Sequence, residues 1–381
     1  MNLLRNKSAF PKAMQGALGS RTVSIHAFRL TESALVTLRK VSGLDLSVHP
    51  VTDEAMRPLG QLTNLRRLDL SYSKLKGAGL QYLNNLRNLH TLNLASAKVA
   101  DAGLQYLNNL SHLHTLDLSH TNLTDAELHH LNNLPTLHTL NLEGTKVTSA
   151  GLQYLTNLPT LHTLTLSGEN VTDAGLHHLN NLPNLYMLGL YTTNVTDVGL
   201  QHLNNLPHLH TLALCGGTTV TGAGLQYLNN LPSLHTLNLS KTHMTNAGLQ
   251  HLTLPTLHML DLERTYVSDD GLHHLHNLPT LHTLNLEGIH VTDAGLHRLN
   301  NLLTLHTLIL NSTHVTGTGL HDLNNLPSLH TLDLSYTSFT DAGLPHLNNL
   351  PTLHMLGLKR TRVTVAGRRH LQEVRPDLMI F

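Results

Sequence analysis

Leucine recurs along this chain on a fixed beat. Leu-x-Leu pairs begin at Leu44, Leu68, Leu92, Leu116, Leu140, Leu164, Leu188 and Leu212, then at Leu237, Leu260, Leu284, Leu308, Leu332 and Leu356. The step is 24 residues throughout, except 25 between Leu212 and Leu237 and 23 between Leu237 and Leu260. A fixed period of this length signals a solenoid, in which each unit buries its apolar face only against its neighbours. Val23-Ser24-Ile25 and Leu378-Met379-Ile380 read as partial units at the two ends.

One unit, Leu137 to Thr160, shows the parts. Alternation from Thr139 onward puts Leu140 and Leu142 inward and Thr139 and Asn141 on the opposite face, which predicts a short parallel strand. Val147 re-enters the core, and Thr148 offers a hydroxyl to the free N–H groups of a helix start. Other units place Asp next, as in Thr172-Asp173, where negative charge suits the helix dipole. Ala150, Leu152, Leu155 and Leu158 give the helix an apolar stripe, and Asn157 before Leu158-Pro159 predicts a left-handed cap at its end. The predicted class is therefore α/β: a right-handed, horseshoe-shaped solenoid with a concave parallel sheet and convex helices. It is expected to fill residues 22–381, after a leader or cap over residues 1–21.

Composition narrows the function. Lys plus Arg equals Asp plus Glu, 24 each, so the basic field of a phosphate-neutralising nucleic-acid binder is missing. The single cysteine, Cys215, excludes an intramolecular disulfide framework and fits a reducing compartment, so a cytoplasmic protein is expected. No run approaches the roughly 20 apolar residues that span a bilayer. Arg5, Lys7, Lys12, Arg21 and Arg29 precede the first acid, Glu32, and leave an organelle-targeting segment as the alternative.

The pattern Leu-x-x-Leu-x-Leu followed by Val-Thr-Asp-Ala-Gly-Leu-x-x-Leu, from about residue 40 to 370, resembles the leucine-rich-repeat superfamily. The Thr-Asp-Ala-Gly-Leu segments at 172–176, 292–296 and 340–344 are most similar to the cysteine-containing and GALA-like subclasses of F-box proteins. That resemblance implies a binding protein, with a substrate-recognition subunit of a ubiquitin-ligase-type complex as one alternative. Two features depart from the subclass: no F-box precedes the repeats, and Thr121, Thr145, Thr193, Thr242 and Thr265 replace its usual Asn or Cys, predicting a hydroxyl ladder.

No GxSxG elbow, HExxH or phosphate-binding glycine loop occurs, so no catalytic residue or cofactor is assigned and a non-enzymatic, protein-binding scaffold is expected. Its specificity should lie where concave positions break the repeat. Those are Tyr186 and Tyr191, the acidic set Glu143, Asp261, Glu263 and Glu287, and the C-terminal trio Tyr336, Lys359 and Arg360. The chain also holds 32 histidines. Eleven share one phase ahead of a strand, from His90 to His354, and others, with Tyr154 and Tyr227, form a column on the convex side. A metal- or pH-responsive protein is the rival reading, but no carboxylate or thiolate repeats beside the pre-strand column, so no metal ligand is assigned.

Overall fold

The computed structural model describes residues 22–24 and 38–381; the expected leader over residues 1–21 lies outside the described residues. The chain divides into two compact units, Met1–Thr165 and Leu166–Phe381.

In the first unit six strands pair in chain order and in parallel: β1 (Thr22–Ser24), β2 (Gly43–Asp45), β3 (Arg67–Asp69), β4 (Thr91–Asn93), β5 (Thr115–Asp117) and β6 (Thr139–Leu142). β7 (Thr163–Ser167) spans the division. In the second unit the same order runs through β8 (Met187–Tyr191), β9 (Thr211–Ala213), β10 (Thr236–Asn238), β11 (Met259–Asp261) and β12 (Thr283–Asn285). It continues through β13 (Thr307–Ile309), β14 (Thr331–Asp333), β15 (Met355–Gly357) and β16 (Met379–Ile380). The leading leucines of neighbouring Leu-x-Leu pairs sit opposite one another, as in Leu68 with Leu92 and Leu260 with Leu284, so the sequence repeat is also the register.

The return segments are mostly 3-10 helices, such as Ser149–Asn157 and Ala223–Asn230. Leucines spaced by three, Leu152, Leu155 and Leu158, explain this: at three residues per turn they eclipse on one face, which turns to the core. Leu140, Leu142, Leu152, Leu155, Leu158 and Leu161 are all fully buried. Each such leucine stabilises the fold by roughly 1.5–3 kcal/mol.

Several local expectations are corrected. The helix ends without a left-handed Asn: Leu158 closes it at φ −108°, its N–H donating to the Leu155 carbonyl. Thr-Asp caps the next repeat as well as its own. Asp125 accepts from the Thr148 N–H at 2.8 Å and from its hydroxyl at 2.6 Å, and Asp173 holds Thr196 in the same way. Glycine follows because a Cβ on Gly151 would sit 2.2 Å from Asp125 Oδ1. The strand-exit threonines form no ladder: Thr121, Thr145, Thr242 and Thr265 each donate to the carbonyl three residues back. Thr218, after the inserted residue, reaches back four. Between β15 and β16 the return segment is a longer α-helix, Val365–Val374, and Arg375 after it donates to the carbonyls of Leu347, Leu350 and Leu353.

Candidate binding face

The strands present one face away from the core, and the middle residue of that face was expected to be open. It is instead buried: Asp117, Asn141, Asp261, Asn285 and Asp333 are between 2% and 7% exposed. The reason is a ladder of side chains. Each carboxylate or amide oxygen accepts the backbone N–H two residues on, as Asn141 does from Glu143 and Asp261 from Glu263. Amide groups also bridge repeats, Asn141 to Asp117 at 3.3 Å and Asn285 to Asp261 at 2.9 Å. Burial pushes the Asp261 carboxyl up to about 6, with Glu263 and Glu287 adding to the rise against its hydrogen bonds. Burial likewise raises Asp117 and Glu143.

Beyond the ladder, every repeat makes a left-handed turn. Val48, Tyr72, Ser96 and His120 in the first unit, and Thr192, Lys241, Arg264, Ser312, Tyr336 and Arg360 in the second, have φ between 51° and 60°. Gly144, Gly168, Gly216 and Gly288 take the same turn elsewhere. The turn carries the ladder of backbone bonds past the strand end, as in Lys241 N–H to the Glu263 carbonyl at 2.7 Å and Tyr336 N–H to Lys359 at 2.7 Å. A side chain there costs about 1–2 kcal/mol relative to glycine, and this column displays large ones.

The named residues fall into separate groups. In the second unit Glu263 pairs with Lys241 at 3.0 Å and approaches Arg264 at 3.7 Å, and the Arg264 N–H donates to the Glu287 carbonyl. The expected acidic set is thus threaded with two cations that the sequence reading missed; the glycines at their phase were the available signal. Tyr336, 42% exposed, is flanked by Lys359 Nζ at 6.0 Å and Arg360 Cζ at 5.8 Å from its ring centre, within reach of a cation–π attraction. Tyr186, 46% exposed, stacks on His210 at 4.6 Å, while the Tyr191 ring lies against Gly189. Glu143 lies in the first unit, its carbonyl accepting from the His120 N–H.

The pre-strand histidines stack face to face. Centroid spacings are 5.0–5.1 Å from His90 to His162 and 4.5–5.6 Å from His210 to His354. Most tie Nδ1 to the carbonyl two residues back, as His162 does to Thr160 and His282 to Thr280, so the rings are held parallel. Cys215 is half-buried, and burial pushes its thiol up to about 12, which disfavours the reactive thiolate.

The description "Leucine-rich repeat region" matches residues 45–297, and "Leucine Rich repeat" matches residues 325–344. The chain belongs to the leucine-rich-repeat family. No curated protein matches it. Among solved structures, a leucine-rich-repeat protein of Leptospira interrogans aligns with this one at TM-score 0.67 and 19% identity, covering 94% of this chain and 100% of that one. An internalin of Listeria monocytogenes aligns at TM-score 0.56 and 23% identity, covering 91% and 88%. TLR13, solved in complex with ssRNA13, aligns at 0.53 and 18%, covering 85% and 57%. These likenesses establish the leucine-rich-repeat solenoid fold. No helix among the described residues is long and apolar enough to cross a membrane.

Proposed function

We propose that this leucine-rich-repeat protein is a non-enzymatic scaffold that holds a protein partner on its sheet face, the face expected to be concave. The observation that carries the reading is the left-handed column. Glycine sits there unstrained in four repeats, yet the second unit keeps Lys241, Arg264, Tyr336 and Arg360 at that phase, at a cost to its own stability. Beside them stand Glu263, Glu287 and Lys359. Tyr and Arg are the side chains that most often dominate protein interfaces, and acidic and basic groups alternate here over a few repeats. Such a mosaic suits a partner with its own mixed charges better than a uniform polyanion. The balance of 24 acidic and 24 basic residues supports the same choice. A cytoplasmic setting accords with the lone thiol.

The test is affinity capture with the full chain, comparing the native sequence with Glu263→Ala/Tyr336→Ala/Arg360→Ala and with a helix-side control, Gln153→Ala. A protein retained by the native chain and the control but lost from the triple variant supports the reading. RNA captured in its place, or a protein lost only from the control, overturns it. If the retained proteins are ubiquitin-ligase subunits, the scaffold is the substrate-recognition member of such a complex.

A further inference from the structure

On the helix side of the first unit one repeat departs from a glycine that twelve others keep, the first repeat holding the equally small Ala55. The third residue of the Asp-Ala-Gly-Leu phase is glycine at Gly79, Gly103, Gly151, Gly175, Gly199, Gly224, Gly248, Gly271, Gly295, Gly319, Gly343 and Gly367, and glutamate at Glu127 alone. Two and three residues on stand His129 and His130. Glu127 Oε2 lies 2.8 Å from His130 Nε2, and the two imidazoles lie against each other at 4.1 Å. One ligand atom from each of the three residues falls within 4.8 Å of the others. Geometry explains the convergence: residues three apart eclipse on a 3-10 turn, so the side chain of Glu127 reaches that of His130. His129 bonds its Nδ1 to the Ala126 carbonyl at 3.2 Å, which leaves Nε2 as the free lone pair.

We propose that Glu127, His129 and His130 form a binding site for a divalent transition-metal ion of the zinc class. Two imidazoles and one carboxylate are a donor set suited to zinc, and calcium or magnesium would require oxygen throughout. Around a tetrahedral ion the ligand atoms stand roughly 3.3 Å apart. Rotation of the exposed His129 ring and a small opening of the Glu127–His130 pair reach that spacing. The fourth position faces solvent and is open to water or to a donor from another molecule. The site is independent of the sheet-face reading above.

Two other sets of histidines supply the controls. Parallel stacking in the pre-strand column keeps neighbouring lone pairs parallel, so they do not converge on one ion. His177–His178 and His273–His274 copy the tilted pair, at 3.9 and 3.7 Å, but with Gly175 and Gly271 in place of the carboxylate.

The experiment is equilibrium dialysis of the full chain against buffered free Zn²⁺, with metal quantified per chain, for the native protein, Glu127→Gly and His129→Ala. Glu127→Gly restores the residue that the other repeats carry at this phase. His129→Ala alters only an exposed ring, so each checks the other against misfolding, and circular dichroism verifies both. One tight equivalent is expected in the native protein, weakened at least about tenfold in each variant, with no Ca²⁺ bound at the same concentration. Equal tight binding by native protein and Glu127→Gly would assign zinc to histidine pairs in general and overturn the proposal. So would the absence of a tight equivalent in the native protein.

Discussion

Asp261 gives the sharpest test of how this fold handles charge. It is 4% exposed, accepts hydrogen bonds from the Glu263 N–H and the Asn285 amide, and is pushed up to about 6 by burial and by its acidic neighbours. An unfolded Asp titrates near 3.9, so the folded chain holds the proton more tightly by roughly 2 pKa units, worth about 3 kcal/mol. The sign follows: a raised carboxyl contributes stability that is complete below about pH 4 and lost as pH rises through about 6. At neutral pH the ionised Asp261 therefore strains the ladder. Asp261→Asn removes the charge, keeps the oxygen that accepts both hydrogen bonds, and matches the Asn that fills this phase at Asn93, Asn141, Asn238 and Asn285. Urea unfolding followed by circular dichroism should show the variant more stable by about 2–3 kcal/mol at pH 7.5, with most of the gain gone at pH 4. Both proteins share the same 32 histidines, so the acid titration of those rings cancels in the difference. A variant no more stable at pH 7.5, or one equally stabilised at both pH values, would refute the argument.

Four other outcomes are expected. Phe339 is fully buried at a phase where other repeats hold Val, Leu or Met, and its ring packs on Gly317 and Gly343, so Phe339→Ala should cost about 3–5 kcal/mol in urea unfolding. Thr192 is exposed and β-branched at φ 51°; Thr192→Gly should raise stability by roughly 0.5–1 kcal/mol, the relieved left-handed strain less the backbone entropy of glycine. Cys215, with its thiol pushed up to about 12, should resist iodoacetamide at pH 8 until the chain is unfolded, as read by mass spectrometry. His210 is pushed down by burial and then by His235 and His258, so its contribution is complete above about pH 6.5 and lost as pH falls through its lower folded value. His210→Gln should accordingly lose less melting temperature than the native chain between pH 7.5 and 5.5.

The repeat was legible because a solenoid writes its architecture into local periodicity. Leu-x-Leu at steps of 24 dictated both the strands and their register, and the leucines three apart carried the 3-10 turns once their spacing is compared with three residues per turn. What the sequence concealed lies between repeats. Asp125 looks like a first-turn residue of its own helix, and only the stacking shows that it caps Thr148, 23 residues on. Asn141 and Asp261 looked like open surface because alternation faces them away from the core; burial comes from the side chains of adjacent repeats, which periodicity within one unit does not encode.

The same distinction orders the candidate surfaces. A residue copied through the repeats, such as the histidine ahead of each strand, is explained by stacking and by its bond to a carbonyl two residues back, and calls for no ligand. A residue that departs from the copy while breaking a local rule is different. Tyr336 and Arg360 put large side chains in a left-handed turn where other repeats hold Gly, Ser or Thr, so this phase is not a copied column, and Glu127 replaces a glycine kept in twelve other repeats. Duplication accounts for the regular columns but supplies no reason for these exceptions. Each exception also stands beside side chains that give it chemistry: a lysine and an arginine around an exposed ring, or two imidazoles around a carboxylate. Strain at a functional residue is tolerated only where the surrounding scaffold over-determines the backbone. Here the inter-repeat hydrogen bonds do so, holding Tyr336 N–H to the Lys359 carbonyl whatever side chain the turn displays.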